Sequence, residues 1–203
     1  MSEREIIKRV EDFAQKSSAK DDIHGFPHVK RVRSMCMKLG KKLNANLEIL
    51  EIASLLHDVG RIIERTDTKN RNHAELSAVM AEDFLRNLEI ILDEEVLENI
   101  LHCIRAHSFS NNILPRSLEA KILSDSDKLD ALGAIGIYRT VGFTVKNSGT
   151  LKDVIRHLEE KILTLKSLMY LDISKKIAEK RDALVHQFYY TLKKELSTNS
   201  FKS

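Results

Sequence analysis

The chain reads as an all-α, single-domain globular protein, and three observations carry that reading. Its 203 residues include only 7 Gly and 2 Pro, so the turn punctuation that many short strands require is sparse. Apolar residues recur at helical spacing almost throughout, with no internal repeat and no low-complexity tract. The composition, 42% hydrophobic and 31% charged, is that of an ordinary soluble domain, and this length suits one core better than two.

The elements follow in order. Ile6, Val10 and Phe13 space a first short helix, ahead of a polar stretch from Ser17 to Asp22. Pro27 suits the first turn of a second helix, where its missing N–H would have no partner. Val29, Val32, Met35 and Leu39 carry that helix to about Leu43. Residues 47–57, LEILEIASLLH, are apolar on nearly every side, which predicts a helix in the middle of the domain. Helices are expected over about 73–88 and 93–107, then a loop holding Asn111, Asn112 and Pro115, then a helical stretch over about 117–138. GFTVKNSGT at 142–150 is the clearest break in the second half. Two long amphipathic helices close the chain. One carries Leu151, Ile155, Leu158, Ile162, Leu165 and Met169, the other Ile177, Leu184, Val185, Phe188 and Leu192. The last residues, STNSFKS, are expected to fray.

Charge and cysteine usage narrow the setting. The 33 basic and 30 acidic residues nearly balance, at a net +3, and the lysines are scattered, so no stable nucleic-acid complex is expected. Cys36 and Cys103 stand alone on helical segments, which argues against a disulfide framework and for a reducing cytoplasm. The opening MSEREIIKRV has no apolar core of a signal peptide, and no apolar run reaches the roughly 18–20 residues that span a bilayer. A cytoplasmic protein without membrane contact is the expectation.

The chemistry-bearing residues centre on His57-Asp58, at the end of the most apolar helix. A buried carboxylate there costs several kcal/mol, on the order of a full desolvation penalty, unless it is paired or bound to a metal. Taken alone, Asp58 caps the following turn and His57 is a hydrogen-bonded core histidine; the pair is not alone. His28 sits at the start of a helix, in HGFPHV at 24–29. SDSDKLD at 124–130 places Asp125, Asp127 and Asp130 in an otherwise apolar segment that runs on through ALGAIGI. On a continuous helix Leu123, Asp127, Asp130, Ala131 and Ala134 would share one side. Two imidazoles and two carboxylates suit Mn, Fe, Co, Ni or Zn better than Mg.

The order His28 … His57-Asp58 … Asp127 resembles the H…HD…D signature of the HD-domain superfamily, and more narrowly its small bacterial and archaeal predicted hydrolases. The matching stretches are HGFPHVKRV at 24–32, ASLLHDVGR at 53–61, NHAELSA at 72–78, RAHSFS at 105–110 and EAKILSDSDKLDALGAIGIYRT at 119–140. The closing segments HLEEKILTLKSLM and SKKIAEKRDALVHQFYYTLKKEL are similar too, so the likeness covers about residues 20–196. It implies a helical fold around one divalent metal, or two. The implied activity is hydrolysis of a phosphate ester or anhydride, often in a nucleotide. Carried over, His28, His57, Asp58 and Asp127 are the metal ligands. Asp127 rather than Asp125 matches because Lys128-Leu129 follow it, as a basic residue and Leu do in the family.

Further residues support the same site. Val96, Ile100, Cys103, Ile104 and His107 share one helical face, which aims His107 inward and His102 outward. His73 matches the family's His-Ala pattern. Both His73 and His107 are candidates to bind a second metal, contact the phosphate or protonate a leaving group. Arg61 stands where many relatives have Lys and suits a phosphate, with Lys128 as a weaker second cation. His24 matches a histidine common in the narrower group and receives no role. The segment between Arg139 and Leu151 is shorter than in many relatives, which leaves the substrate least defined.

The reaction implied is direct attack by a metal-bound water, whose pKa falls from about 15.7 toward 7, with Asp58 orienting it. No Ser or Cys nucleophile is required. Two competing readings remain at this point: a cyclic-nucleotide or oligonucleotide phosphodiesterase with the same metal set, and a regulatory or ligand-binding module that keeps the fold without turnover.

Overall fold

The computed structural model describes residues 2–64, 66–88 and 93–198. Those residues form α-helices and two 3-10 segments, with no strand among them, and they fall into two compact units, Met1–Asp127 and Lys128–Ser203.

The first unit contains α1 (Glu3–Lys16), α2 (Phe26–Leu43), α3 (Leu47–Leu56), α4 (Arg61–Glu64), α5 (His73–Arg86), α6 (Glu94–His107) and a 3-10 turn at Phe109–Asn111. It ends within α7 (Leu118–Asp130). Helix starts are fixed by side chains that accept from otherwise unpaired N–H groups, each worth about 1 kcal/mol. Ser2 and Glu5 form a reciprocal capping box on α1. Asn46 accepts from Glu48 and Ile49 on α3, Asn72 from Ala74 on α5, and Asp93 from Glu95 on α6. Pro27 falls in the first turn of α2, behind Gly25.

Helix α3 lies at the centre, against α1, α2, α5 and α6. Its Leu50, Ile52, Ala53, Leu55 and Leu56 are completely buried, as its all-round apolar sequence requires. Cys36 and Cys103 are both free and buried, and no described helix is long and apolar enough to cross a membrane.

The second unit contains α8 (Gly133–Lys146), α9 (Leu151–Glu160), a 3-10 segment at Ile162–Leu168 and α10 (Asp172–Thr198). Val154 and Leu158 of α9, Ile162 and Leu165 of the 3-10 segment, and Ala178, Val185 and Tyr189 of α10 are buried. Arg139 donates to Asp130 at 2.9 Å in a buried ion pair, which satisfies that carboxylate within the unit.

Three expectations about helix limits are corrected here. The stretch 117–138 is interrupted: α7 ends at Asp130 and α8 starts at Gly133, whose φ of 74° only glycine adopts without strain. Ala131 and Ala134 therefore do not continue the face of Asp127. The break expected at 142–150 shrinks to Asn147–Thr150, because α8 runs through Gly142 to Lys146 and a single helical glycine is tolerated at a cost of about 1 kcal/mol. The helix expected over Leu151–Met169 tightens to 3-10 geometry after Glu160. The closing helix α10 includes Ser197 and Thr198; the rest of the tail expected to fray lies outside the described residues.

Candidate metal centre

The centre is built where α3 ends. Beyond Leu56 the chain turns through His57, Asp58, Val59 and Gly60, all buried, and re-enters a helix at Arg61. Gly60 permits that turn to lie against α5. A Cβ there would meet the backbone N of Ser77 at 2.4 Å and the carbonyl O of His73 at 2.7 Å, and the Gly60 N–H donates to Ser77 Oγ at 2.9 Å. The glycine therefore allows the approach that brings Asp58 to His73.

Four other elements deliver one residue each. His28 comes from the first turn of α2, His73 is the first residue of α5, His107 is the last of α6, and Asp127 comes from α7. Ser124 of α7 donates to the His107 carbonyl O at 3.2 Å, which ties α6 to α7 beside the cluster.

Asp58 stands in the middle. Its Oδ2 lies 3.6 Å from His28 Nε2 and 3.7 Å from His57 Nε2, and its Oδ1 lies 3.6 Å from His73 Nε2 and 3.5 Å from His107 Nε2. His28 Nε2 is also 3.3 Å from Asp127 Oδ1 and 3.3 Å from His57 Nε2. Two sets share the carboxylate, His28–His57–Asp58 and Asp58–His73–His107, each with its ligand atoms within 4.8 Å of one another.

The helix ends set the tautomers. An α-helix leaves its last carbonyls without intrahelical donors. His57 Nδ1 donates to the Ser54 carbonyl at 2.8 Å, and His107 Nδ1 donates to the Ile104 carbonyl at 2.6 Å. With Nδ1 protonated, each ring turns its Nε2 lone pair inward, the form in which histidine binds metals.

Protonation follows from burial. It pushes His57 down to about 4, against the pull of Asp58, and pushes His73 down as well, with the Arg61 cation acting the same way. Burial alone would raise Asp58, yet the Arg61 guanidinium, whose Nε donates to Oδ2 at 2.6 Å, holds it well below the usual carboxylate range. Asp127 is likewise held low, burial being outweighed by His28. Neutral imidazoles and ionised carboxylates are the states a divalent cation requires. Asp58 Oδ1, His73 Nε2 and His107 Nε2 are all buried with no hydrogen-bond partner among the described residues, so the donor set fits a metal ion.

The remaining sequence candidates fall as follows. Asp125 is fully buried in α7 and has its own partner within the fold, whereas Asp127 is the aspartate beside His28. His102 is half-buried, and its Nε2 accepts from the Arg116 N–H at 3.0 Å. Lys128 belongs to the second unit, where its Nζ lies 4.9 Å from the centre of the Tyr170 ring. His24 is half-buried at the turn before α2 and also has a partner in the fold.

Sequence reasoning missed Glu64. Its Oε1 accepts from the His73 backbone N–H at 2.9 Å and pairs with His73 Nδ1 at 3.2 Å, which directs Nε2 toward Asp58. Its position one turn after Arg61 was the only available signal.

Comparison with known proteins bears on the family and the fold. The HD domain model matches residues 25–132, which include all six clustered residues. The uncharacterised protein YpgQ of Bacillus subtilis is 32% identical over 181 residues, covering 85% of this chain and 84% of its own. The crystal structure of YpgQ in complex with ADP superposes with a TM-score of 0.75 at 28% identity, over 96% of this chain and 97% of that one. A HD-superfamily hydrolase from Bacillus thuringiensis superposes with a TM-score of 0.69 at 30% identity, over 97% and 99% of the two chains. With the histidine–aspartate order, the helical fold and these likenesses in agreement, the chain belongs to the HD-domain family.

Proposed function

We propose that this protein is a divalent-metal-dependent phosphohydrolase acting on a phosphate ester or anhydride of a small nucleotide. The observation that carries the reading is Asp58, a buried carboxylate placed between two pairs of imidazoles, with no hydrogen bond to its Oδ1 among the described residues. His28, His57, Asp58 and Asp127 would hold one cation, and Asp58, His73 and His107 a second. When bound, such a cation supplies Lewis acidity toward phosphoryl oxygen and lowers the pKa of water from about 15.7 toward 7.

The chain's own groups do the rest. Asp58 orients the attacking water from the centre of the cluster. His73, neutral because it is buried, suits a ligand better than a proton donor at neutral pH. Arg61, with about a quarter of its side chain open to solvent, is the cation placed to meet a phosphate. A nucleotide is favoured because YpgQ was crystallised with ADP and because the nearly balanced charge, 33 basic against 30 acidic residues, gives no extended footprint for a polymer.

The test compares turnover of nucleoside mono- and triphosphates with binding of a single-stranded oligonucleotide at rising salt. Nucleotide hydrolysis with weak oligonucleotide binding is expected. Tight, steeply salt-sensitive oligonucleotide binding without nucleotide turnover would favour a phosphodiesterase or a binding module instead.

A further inference from the structure

Arg61 and any cation held by His28 and His57 address the same oxygen. The guanidinium Nε lies 2.6 Å from Asp58 Oδ2, the atom that also faces His28 Nε2 at 3.6 Å and His57 Nε2 at 3.7 Å. Asp58 Oδ1, which faces His73 and His107 at 3.6 and 3.5 Å, has no hydrogen-bond partner among the described residues. One half of the central carboxylate is thus paired with a cation from within the chain, and the other half faces two imidazoles without a hydrogen bond.

Arg61 is also the group at the boundary between the buried carboxylate and solvent. Its side chain is 26% exposed and that of Asp58 is 2% exposed. It starts the four-residue helix α4, and its backbone N–H donates to the Asp58 carbonyl at 3.1 Å, so backbone and side chain both lean on the residue three before it. The partly exposed side chain gives the guanidinium a route toward solvent that the buried carboxylate lacks.

From this placement we infer that Arg61 is a resident counter-cation of Asp58, which competes with the metal for that carboxylate and turns to the substrate phosphate once the metal has taken it. The inference rests on the metal-centre reading above and adds a regulatory consequence. Two cations against one oxygen repel each other strongly in a buried site, so Arg61 weakens metal binding at the His28–His57 side. A phosphate that draws the guanidinium away removes that repulsion. Linkage then requires that phosphate tighten metal binding and that metal tighten phosphate binding, by the same factor.

Calorimetric titration of the chelator-stripped protein with Mn2+, with and without inorganic phosphate, tests this without reference to turnover. Wild type is expected to bind Mn2+ more tightly, by about threefold or more, when phosphate is present. R61Q is expected to bind Mn2+ about tenfold more tightly than wild type without phosphate, and to lose the phosphate effect. R61K, which keeps the charge, is expected to stay near wild type in both respects. Unchanged affinity in folded R61Q would show that Arg61 and metal do not compete. Weaker affinity would show that Arg61 holds Asp58 in place for the metal. Either result overturns the inference. The wild-type comparison needs no variant, so the absence of phosphate coupling overturns it even if R61Q fails to fold. Wild type that binds no Mn2+ under any condition would defeat the metal-centre reading itself.

Discussion

The Nε2 atoms of His28 and His57 face each other at 3.3 Å. His57 already donates through Nδ1 to the Ser54 carbonyl, so its Nε2 presents a lone pair to the other ring. With Asp127 Oδ1 also 3.3 Å from His28 Nε2, the two ring nitrogens and the carboxylate are placed to share a cation. The His57→Ala and Asp127→Ala variants are expected to lose bound metal and activity together, while Asp125→Ala retains metal if it folds. Elemental analysis of the purified variants decides. An Asp127→Ala protein at full metal content, beside an Asp125→Ala protein without metal, would reverse the assignment.

The two histidines of α6 should behave oppositely. His107 is buried with Nε2 3.5 Å from Asp58 Oδ1, whereas His102 Nε2 accepts from Arg116 away from the cluster. Replacing His107 by Ala is expected to cut turnover by about 100-fold or more. The same change at His102, whose ring bonds to Arg116 instead of the cluster, should leave turnover within about twofold. Equal kinetics in two folded variants would remove His107 from the proposed machinery.

Acid should destabilise the metal-free protein well above the ordinary carboxylate range. The His57 pKa is lowered to about 4 and that of His73 is lowered too, both by burial first. Below about pH 6.5 the unfolded chain binds protons that these folded imidazoles refuse, so stability falls as pH drops from about 6.5 toward 4. Asp58 and Asp127 act lower down: their depressed folded values give stability above about pH 3.9 that is lost on further acidification. Urea midpoints measured at pH 7.5 and pH 5 check the first window. A midpoint that is flat or higher at pH 5 would contradict the neutral, buried state of these rings.

Gly60→Ala tests the turn. The added methyl would meet Ser77 N at 2.4 Å and His73 O at 2.7 Å, both backbone atoms that cannot move aside cheaply. A loss of about 1–3 kcal/mol in unfolding free energy is expected, together with weaker metal binding, because the turn carries Asp58 and α5 carries His73. Wild-type stability and metal affinity in this variant would show that the close approach is unnecessary.

Much of the cluster was visible before the fold. The all-round apolar run LEILEIASLLH marked α3 as central, and a His-Asp pair at its end had to be satisfied by something buried. The periodicity of α6 separated His107 from His102 without any structure. Other features were hidden for physical reasons. Glu64 acts through the ring of His73, nine residues away, and only the short turn of α4 brings the two together. Helix α7 ends at Asp130 ahead of Gly133, which takes a positive φ, whereas Gly142 stays helical, and nothing in local spacing distinguishes the two glycines. The 3-10 geometry of Ile162–Leu168 keeps Ile162 and Leu165 buried at a three-residue spacing that also fits an α-helix.

The central claim is that hydrolysis depends on a divalent cation held around Asp58. The most direct test strips the protein with a chelator, restores Mn2+ stepwise and follows phosphate or pyrophosphate release from a panel of nucleotides, with Asp58→Asn in parallel. Wild type should be silent without metal, recover activity saturably with bound Mn2+, and Asp58→Asn should recover neither metal nor activity. Turnover that survives complete chelation, or Asp58→Asn turnover equal to wild type, would contradict the account.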